Sequence, residues 1–316
     1  MPSTSLEITD GWILGQRPPK PPADPWRPHA FFVEPERTAR GGVEDVATLL
    51  LTNRECPFRC LMCDLWKYTT DSRVPDGAVA AQVEYGLARL PTARHIKLYN
   101  AGNFFDAQAI PPADHARIAE LLKPFRTAVI ECHPLLVGPR CLAFRDRLRP
   151  ALEVAMGLET VHPQVLPRLN KRMTLADFER AARFLTSNGV GVRAFILLRP
   201  PFLGEEEGIE WAKRSVEFAF DVGVECCSII PTRTGNGAME LLAEHGEFSP
   251  PRLESLEAVL AYGLDLRRGR VFADLWDVEK FYPCPRCGPA RAARLLTMNR
   301  TQAVASPVVC DCRRCA

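Results

Sequence analysis

Between Cys56 and Cys63 the chain reads Cys-Pro-Phe-Arg-Cys-Leu-Met-Cys, three thiols at Cys-x3-Cys-x2-Cys spacing. Soft sulfur ligands held this close suit an iron–sulfur cluster. A 4Fe–4S cluster has four irons, so three cysteines leave one iron without a protein ligand, and an open iron is where a small molecule can chelate. Two other readings stand beside this one: a zinc site completed by a fourth residue, or three buried thiols. Zinc knuckles usually pair their cysteines as two separated couples, so the spacing favours iron–sulfur chemistry.

A second group lies near the end of the chain. Cys284-x2-Cys287 is followed, about two dozen residues on, by Cys310-x-Cys312-x2-Cys315. Two couples separated by a loop have the spacing of a closed four-ligand zinc site. Cys284, Cys287, Cys310 and Cys312 are the expected ligands, with Cys315 spare, and the metal is Zn2+ or an auxiliary iron–sulfur cluster. From Phe281 to Ala316 six arginines face one acid, a formal +5 in a chain of +2. With four thiolates on Zn2+ the segment keeps about +3, enough to dock RNA beside an active site. A structural clip with solvated arginines explains the same residues.

Composition limits the class. The chain has 316 residues, 47% hydrophobic and 25% charged, the proportions of an ordinary globular protein. A chain of that length buries roughly three-quarters of its unfolded surface and needs no disulfides to hold a core. Twelve cysteines therefore point to metal in a reducing compartment. No apolar run approaches the ~18 residues of a membrane span. Met1–Gly15 lacks a basic segment followed by an apolar one, so the expected location is cytoplasmic.

The elements that must position the thiols are strands alternating with helices. Strands are expected at Ala47–Thr52, His95–Tyr99, Thr127–Glu131, Leu152–Leu158, Val190–Leu198, Val224–Ile230 and Val271–Leu275. Thr174–Asn188 opens on a capping box and ends at Gly189, and Ile209–Val222 stops at Gly223. This pattern predicts an α/β fold, a partial (β/α)6-type parallel barrel over residues 46–280. A proline-rich arm precedes it at 1–45, with Trp26, Phe31 and Phe32 as anchors, and a Cys-rich metal module follows at 281–316. The first three cysteines come directly after the first barrel strand, where such folds gather their chemistry.

In this spacing Cys56, Cys60 and Cys63 resemble the signature of the radical S-adenosylmethionine (radical SAM) superfamily. The resemblance implies a cluster whose open iron binds the amine and carboxylate of SAM. An electron from a donor such as flavodoxin or ferredoxin then yields a 5′-deoxyadenosyl radical that abstracts a substrate hydrogen. Met62, where the superfamily commonly has an aromatic residue, would pack on the adenine. Gly102 and Asn103, after the second strand, fall where the superfamily places a loop for SAM's amino group. Glu131 and Glu159 end the third and fourth strands and are expected to contact SAM. Arg193 interrupts an apolar strand; it faces either the barrel mouth, where it can pair with SAM's carboxylate, or the helix layer.

Ile130-Glu131-Cys132-His133-Pro134, Gly157-Leu158-Glu159-Thr160 and Asn170-Lys171-Arg172 resemble a branch that includes the Elongator catalytic subunit and the radical SAM subunit of archaeosine synthase. That resemblance implies tRNA base modification. The near-neutral charge leaves a small metabolite or natural product as the alternative substrate, and a non-enzymatic iron–sulfur or zinc module as the remote one. No residue is singled out as the catalytic acid or base. His133 and His162 are expected to be hydrogen-bonded structural residues. Cys226 and Cys227 should point to opposite faces of their strand. The inward one is a candidate hydrogen-atom donor, with core packing as the default.

Overall fold

The computed structural model describes residues 7–310. Its framework is one eight-stranded sheet in sequential order. The strands are β1 (Ala30–Arg37), β2 (Val43–Leu51), β3 (His95–Asn100), β4 (Thr127–Glu131), β5 (Ala151–Glu159), β6 (Gly191–Leu198), β7 (Cys226–Pro231) and β8 (Arg270–Ala273). β1 is antiparallel to β2, and β2 to β8 are parallel throughout. The helices are α1 (Asp10–Gly15), α2 (Ala78–Leu87), α3 (Asp114–Leu122), α4 (Pro139–Arg145), α5 (Val165–Arg168), α6 (Leu175–Ser187), α7 (Glu205–Asp221), α8 (Ala238–Glu244), α9 (Leu253–Asp265) and α10 (Gly288–Thr301). All seven expected strands are present, and the sheet curls into the partial parallel barrel that the pattern predicts. Helix α6 starts on the Thr174–Asp177 capping box.

Strand alternation sorts each strand's residues between the helix layer and the barrel interior. Val192, Ala194, Ile196 and Leu198 of β6 join the core under the helices with Ile96, Leu98, Cys227 and Ile229. Arg193 of the same strand points the other way and bonds Glu153 of β5 at 2.7 Å and Glu36 of β1 at 2.8 Å. Arg270 reaches Glu153 at 2.8 Å, and Lys97 pairs with Glu34 and Glu36. Lys97, Glu153, Arg193 and Arg270 come from the amino-terminal halves of parallel strands, and Glu34 and Glu36 from the carboxyl-terminal half of the antiparallel β1. They floor the barrel with three cations against three carboxylates. Higher in the interior, Tyr99 meets Phe195 edge-on, with ring centroids 6.0 Å apart.

The prolines of the N-terminal segment do not keep it out of the sheet. Pro35 sits in β1, an edge strand, where a missing N–H costs no central ladder bond. Sequence patterning missed this strand because Glu34, Pro35 and Glu36 break its apolar alternation. Helix α1 was missed too: at six residues it is too short to show a period. The apolar anchor of that segment is Ile13, 2% exposed, whereas Trp26 is 48% exposed.

Curling leaves β1 and β8 as edges, and α10 packs against both. Two carboxamides, Asn299 of α10 and Gln302 at its C-cap, treat β8 as a neighbouring strand would. Asn299 accepts from the Ala273 N–H and donates to its carbonyl, at 2.8 and 2.9 Å. Gln302 does the same for Val271, also at 2.8 and 2.9 Å. Four backbone groups of an open edge are thereby satisfied by side chains. Asn299→Ala and Gln302→Ala should each lower the unfolding free energy by about 1–3 kcal/mol in denaturant titrations. Thr297→Ala, on the exposed face of the same helix, should change it by less than about 0.5 kcal/mol.

Candidate active site

The cysteine loop leaves the carboxyl end of β2, the first parallel strand, and has little regular structure of its own. Its backbone is held from other strand ends. The Asn53 carbonyl accepts from Thr70 N–H at 2.9 Å, and Glu55 N–H donates back to the Thr70 carbonyl at 3.1 Å. Asn170, beyond β5, donates to the Arg59 carbonyl at 2.8 Å, while Leu61 N–H donates to the Leu169 carbonyl at 2.9 Å. Asn236, beyond β7, donates to the carbonyls of Leu61 and Cys63 at 2.7 and 3.2 Å. Leu61, fully buried, anchors the loop in a small apolar cluster with Ile13, Leu169, Leu197 and Met239. Met62 packs against the edge of that cluster.

Helix α1 covers the loop from outside. Asp10 accepts from Asn170 at 2.8 Å and also pairs with Arg172. The chain leaving α1 passes so close to Gly237 that a Cβ there would lie 1.9 Å from the Gln16 carbonyl oxygen. Gly237 also has φ +88°, so both its space and its conformation require glycine.

Around the three thiols stand groups from β3, β4 and β5. Asn103 donates to Cys56 Sγ at 3.3 Å and accepts from the His133 N–H at 2.5 Å. Glu131 accepts from the Asn100 N–H at 2.8 Å, and burial pushes its carboxyl up to about 8. Glu159 takes φ +65° where the β5 register shifts, and it pairs with Lys171 at 2.7 Å with both side chains buried. Gly157 makes room for that pair, since a Cβ there would fall 2.1 Å from Glu159 Oε1 and 2.5 Å from Lys171 Nζ. Lys171 also acts electrostatically on Cys56 and Cys60.

His133 stacks on Phe58, with ring centroids 3.8 Å apart. Its Nδ1 accepts from Leu135 N–H at 3.2 Å, which leaves Nε2–H to donate to the Lys171 carbonyl at 3.1 Å. Burial and the Lys171 charge hold this imidazole down to about 3, so it is neutral. His162 likewise accepts backbone N–H groups, those of Gln164 and Val165.

Burial pushes the thiols of Cys56, Cys60 and Cys63 up to about 11, 12 and 12, so without a ligand they stay protonated. Iron would hold them as thiolates, as metals do. The surroundings fit such a group. Glycine at 102 lets the chain lie close to the loop, since a Cβ there would fall 3.1 Å from Asn53 Nδ2, 3.5 Å from Asn100 Nδ2 and 3.8 Å from the Cys56 Cβ. Asn53 Oδ1 and both amide atoms of Asn100 are buried with no partner. Unpaired buried amides are costly, and ones beside a reactive loop point to a polar ligand.

The fold and these groups have counterparts among known proteins. Archaeosine synthase subunit beta of Thermococcus kodakarensis is 30% identical over 213 residues, which are 64% of this chain and 65% of that protein. Elp3 of Methanocaldococcus infernus superposes with a TM-score of 0.50 at 17% identity, covering 72% of this chain and 56% of that one. Streptococcus suis SuiB, bound to its precursor peptide SuiA, gives 0.54 at 12% identity, covering 74% and 50%. At these identities the two solved structures show a shared fold. No family model matches the chain. The relative and the Elp3 fold are those that the motif resemblance names. The chain is similar in sequence to archaeosine synthase subunit beta and in fold to Elp3, and it spans about 65% of the length of the curated relative.

Of the residues that the radical SAM resemblance singled out, Cys56, Cys60, Cys63, Met62, Gly102, Asn103, Glu131 and Glu159 gather at the carboxyl ends of β2 to β5. Arg193 does not join them. It lies in the barrel interior, committed to Glu153 and Glu36, five residues before the end of β6. At about 3.3 Å per residue that is some 16 Å below the mouth. Cys226 faces the same charged floor and Cys227 the helix-side core, the opposite faces expected of strand neighbours.

Cys284, Cys287 and Cys310 meet at the start of α10. Sγ of Cys284 lies 3.3 Å from that of Cys287 and 4.0 Å from that of Cys310. Among the described residues, this is the group whose three ligand atoms all fall within 4.8 Å of one another. Cys312 and Cys315 lie outside the described residues. Among those described, no helix is long and apolar enough to cross a membrane.

Sequence reasoning passed over Lys171, Asn100 and Asn236 as site residues. Lys171 stood inside a quoted motif, and its role depends on Gly157 and Glu159 lying beneath it. Asn100 ends β3 and Asn236 lies five residues beyond β7, positions that mark them only once the strands are known to be parallel.

Two outcomes follow. Gly157→Ala should separate Glu159 from Lys171 and cost about 2–4 kcal/mol in denaturant unfolding, as breaking a buried pair does. The second concerns pH. The Glu131 carboxyl is raised in the folded state, so the unfolded chain releases this proton first, and stability falls from about pH 4.5 to about pH 8. Glu131→Gln should remove that slope. The variant should gain about 2–4 kcal/mol on the parent by pH 8 and lose the advantage near pH 4.5, measured by denaturation across the range.

Proposed function

We propose that the chain is a radical SAM enzyme in which Cys56, Cys60 and Cys63 hold a 4Fe–4S cluster, and that its substrate is a base in tRNA. The observation that carries the reading is a set of three thiols at the carboxyl end of the first parallel strand. The Glu159–Lys171 pair acts on two of them electrostatically, and Glu131 feels the charge of the same Lys171. The cluster, when bound, supplies one-electron cleavage of SAM and so hydrogen abstraction from the substrate.

The chain's own residues hold and shield that chemistry. Lys171 offsets thiolate charge from within the wall. Glu131 and Glu159 offer carboxyl oxygens where SAM's amine is expected, Gly102 and Asn103 line that approach, and Met62 lies on the adenine side. Phe58 and the neutral His133 stack on one another beside the cysteine loop. Arg193, committed to Glu153 and Glu36, serves the barrel floor and not SAM's carboxylate.

A tRNA substrate draws on the relative named archaeosine synthase subunit beta and on the +5 tail. The word subunit in that name supports a second protein chain as partner, and the cluster requires an electron donor such as flavodoxin or ferredoxin. Cys284, Cys287 and Cys310, with Cys312, hold Zn2+ in this reading. Tetrahedral zinc at Zn–S of about 2.3 Å sets sulfurs about 3.8 Å apart, near the spacings found. An auxiliary cluster is the other candidate for these ligands.

Anaerobically reconstituted protein should bind about four irons and one zinc per chain. Replacing Cys56, Cys60 and Cys63 together by Ala should remove the iron, abolish reductive SAM cleavage, and leave the zinc, since the sites are separate. SAM cleavage by the triple variant would overturn the assignment. The intact protein should act on tRNA fractions; product from metabolite extracts alone would move the substrate to a small molecule.

A further inference from the structure

We propose that Asn103 sets the reduction potential of the cluster through an N–H···S hydrogen bond to Cys56. This rests on the cluster reading above and gives Asn103 a role other than contact with SAM.

Asn103 is 1% exposed, and both ends of its amide are committed. Nδ2 donates to Cys56 Sγ at 3.3 Å, and Oδ1 accepts from the His133 N–H at 2.5 Å. The second bond decides the orientation of the first. Were the amide turned over, its NH2 would face the His133 N–H, donor against donor, and its oxygen would face the sulfur. His133 cannot drift to relieve this: its ring is bonded at both nitrogens and stacked on Phe58. A donor is therefore held permanently on one ligand sulfur. Backbone N–H groups of Phe58 and Leu65 serve Cys56 and Cys63, but those belong to the loop itself. Asn103 comes from beyond β3 and is a donor that substitution can remove while leaving the loop sequence intact.

An electron added to a cluster is spread over its sulfurs. A donor dipole aimed at a sulfur stabilises the reduced state more than the oxidised one, and so raises the potential. Without it the cluster becomes harder to reduce. Asn103 is a positioning and tuning residue in this account; it touches a ligand and does not take part in bond breaking.

The experiment is a potentiometric titration of the reconstituted protein, read by electron paramagnetic resonance, after iron content has been measured. Asn103→Ala, which lacks the donor, should shift the midpoint to more negative potential. Asn103→Asp keeps an acceptor for His133 N–H but turns an oxygen toward Cys56, and should shift it further. Equal potentials in parent and Ala variant would overturn the proposal, as would loss of the SAM response with the potential unmoved, which would make Asn103 a SAM contact. If Asn103→Asp does not retain the cluster, the uncharged Ala variant decides alone. Failure of the cluster reading is distinct: the parent protein would then load no iron that depends on Cys56.

Discussion

A loop that presents three thiols to a ligand cannot form a helix or a ladder, so its backbone polar groups must be met from elsewhere. Everything around the site follows from that constraint. Leu169, Asn170 and Asn236 supply missing partners from segments far apart in the chain, and Thr70 does so from the same connection. The loop is rigid because these strand ends meet at one mouth. Leu61 adds an apolar peg between Cys60 and Cys63, and α1 closes over it through Asp10 and Ile13. The parallel barrel is what brings such segments to one level.

The barrel interior divides its labour by height. At the floor, Lys97, Arg193 and Arg270 are matched by Glu34, Glu36 and Glu153, a balanced set of three cations and three carboxylates. Breaking such a set is costly, whereas the set itself adds little to stability. At the mouth, Glu159 and Lys171 form one further buried pair, admitted by Gly157. The charged groups of the floor are all paired, although Thr48 Oγ1 beside Lys97 is buried without a partner. The mouth retains unpartnered amides at Asn53 and Asn100 and a carboxyl raised by burial at Glu131. That contrast separates structural charge from ligand-directed polarity within one cavity.

Sheet closure is handled by side chains. An open sheet with β1 and β8 as edges would offer unpaired backbone to other chains. Asn299 and Gln302 turn α10 into a substitute strand along β8. The Cys284–Cys287–Cys310 group at the head of α10 lies where it can fix that helix in place. Site and scaffold are joined here, because β1, on the other side of α10, carries Glu36 to the floor beneath the cysteines.

Much of this was readable from residue types and spacing. Seven strands, the capping box of α6 and the two cysteine groups each leave a local signal, since apolar runs, cap residues and short ligand spacings are properties of neighbouring residues. The amino acids alone also place Glu131 and Glu159 at strand ends. They do not show that β1 joins the sheet, because Glu34, Pro35 and Glu36 hide its alternation and only the pairing with β2 reveals it. Nor do they tell which way Arg193 faces; that is decided by Glu36 and Glu153, over a hundred residues away and some forty away respectively. Asn103 reads in sequence as a loop residue near SAM, and its two bonds exist only because Cys56 and His133 meet it at the mouth. Local chemistry determined which elements form and which residues can bind. Long-range packing decided which of them meet, since hydrogen bonds and ion pairs depend on distance in space and not along the chain.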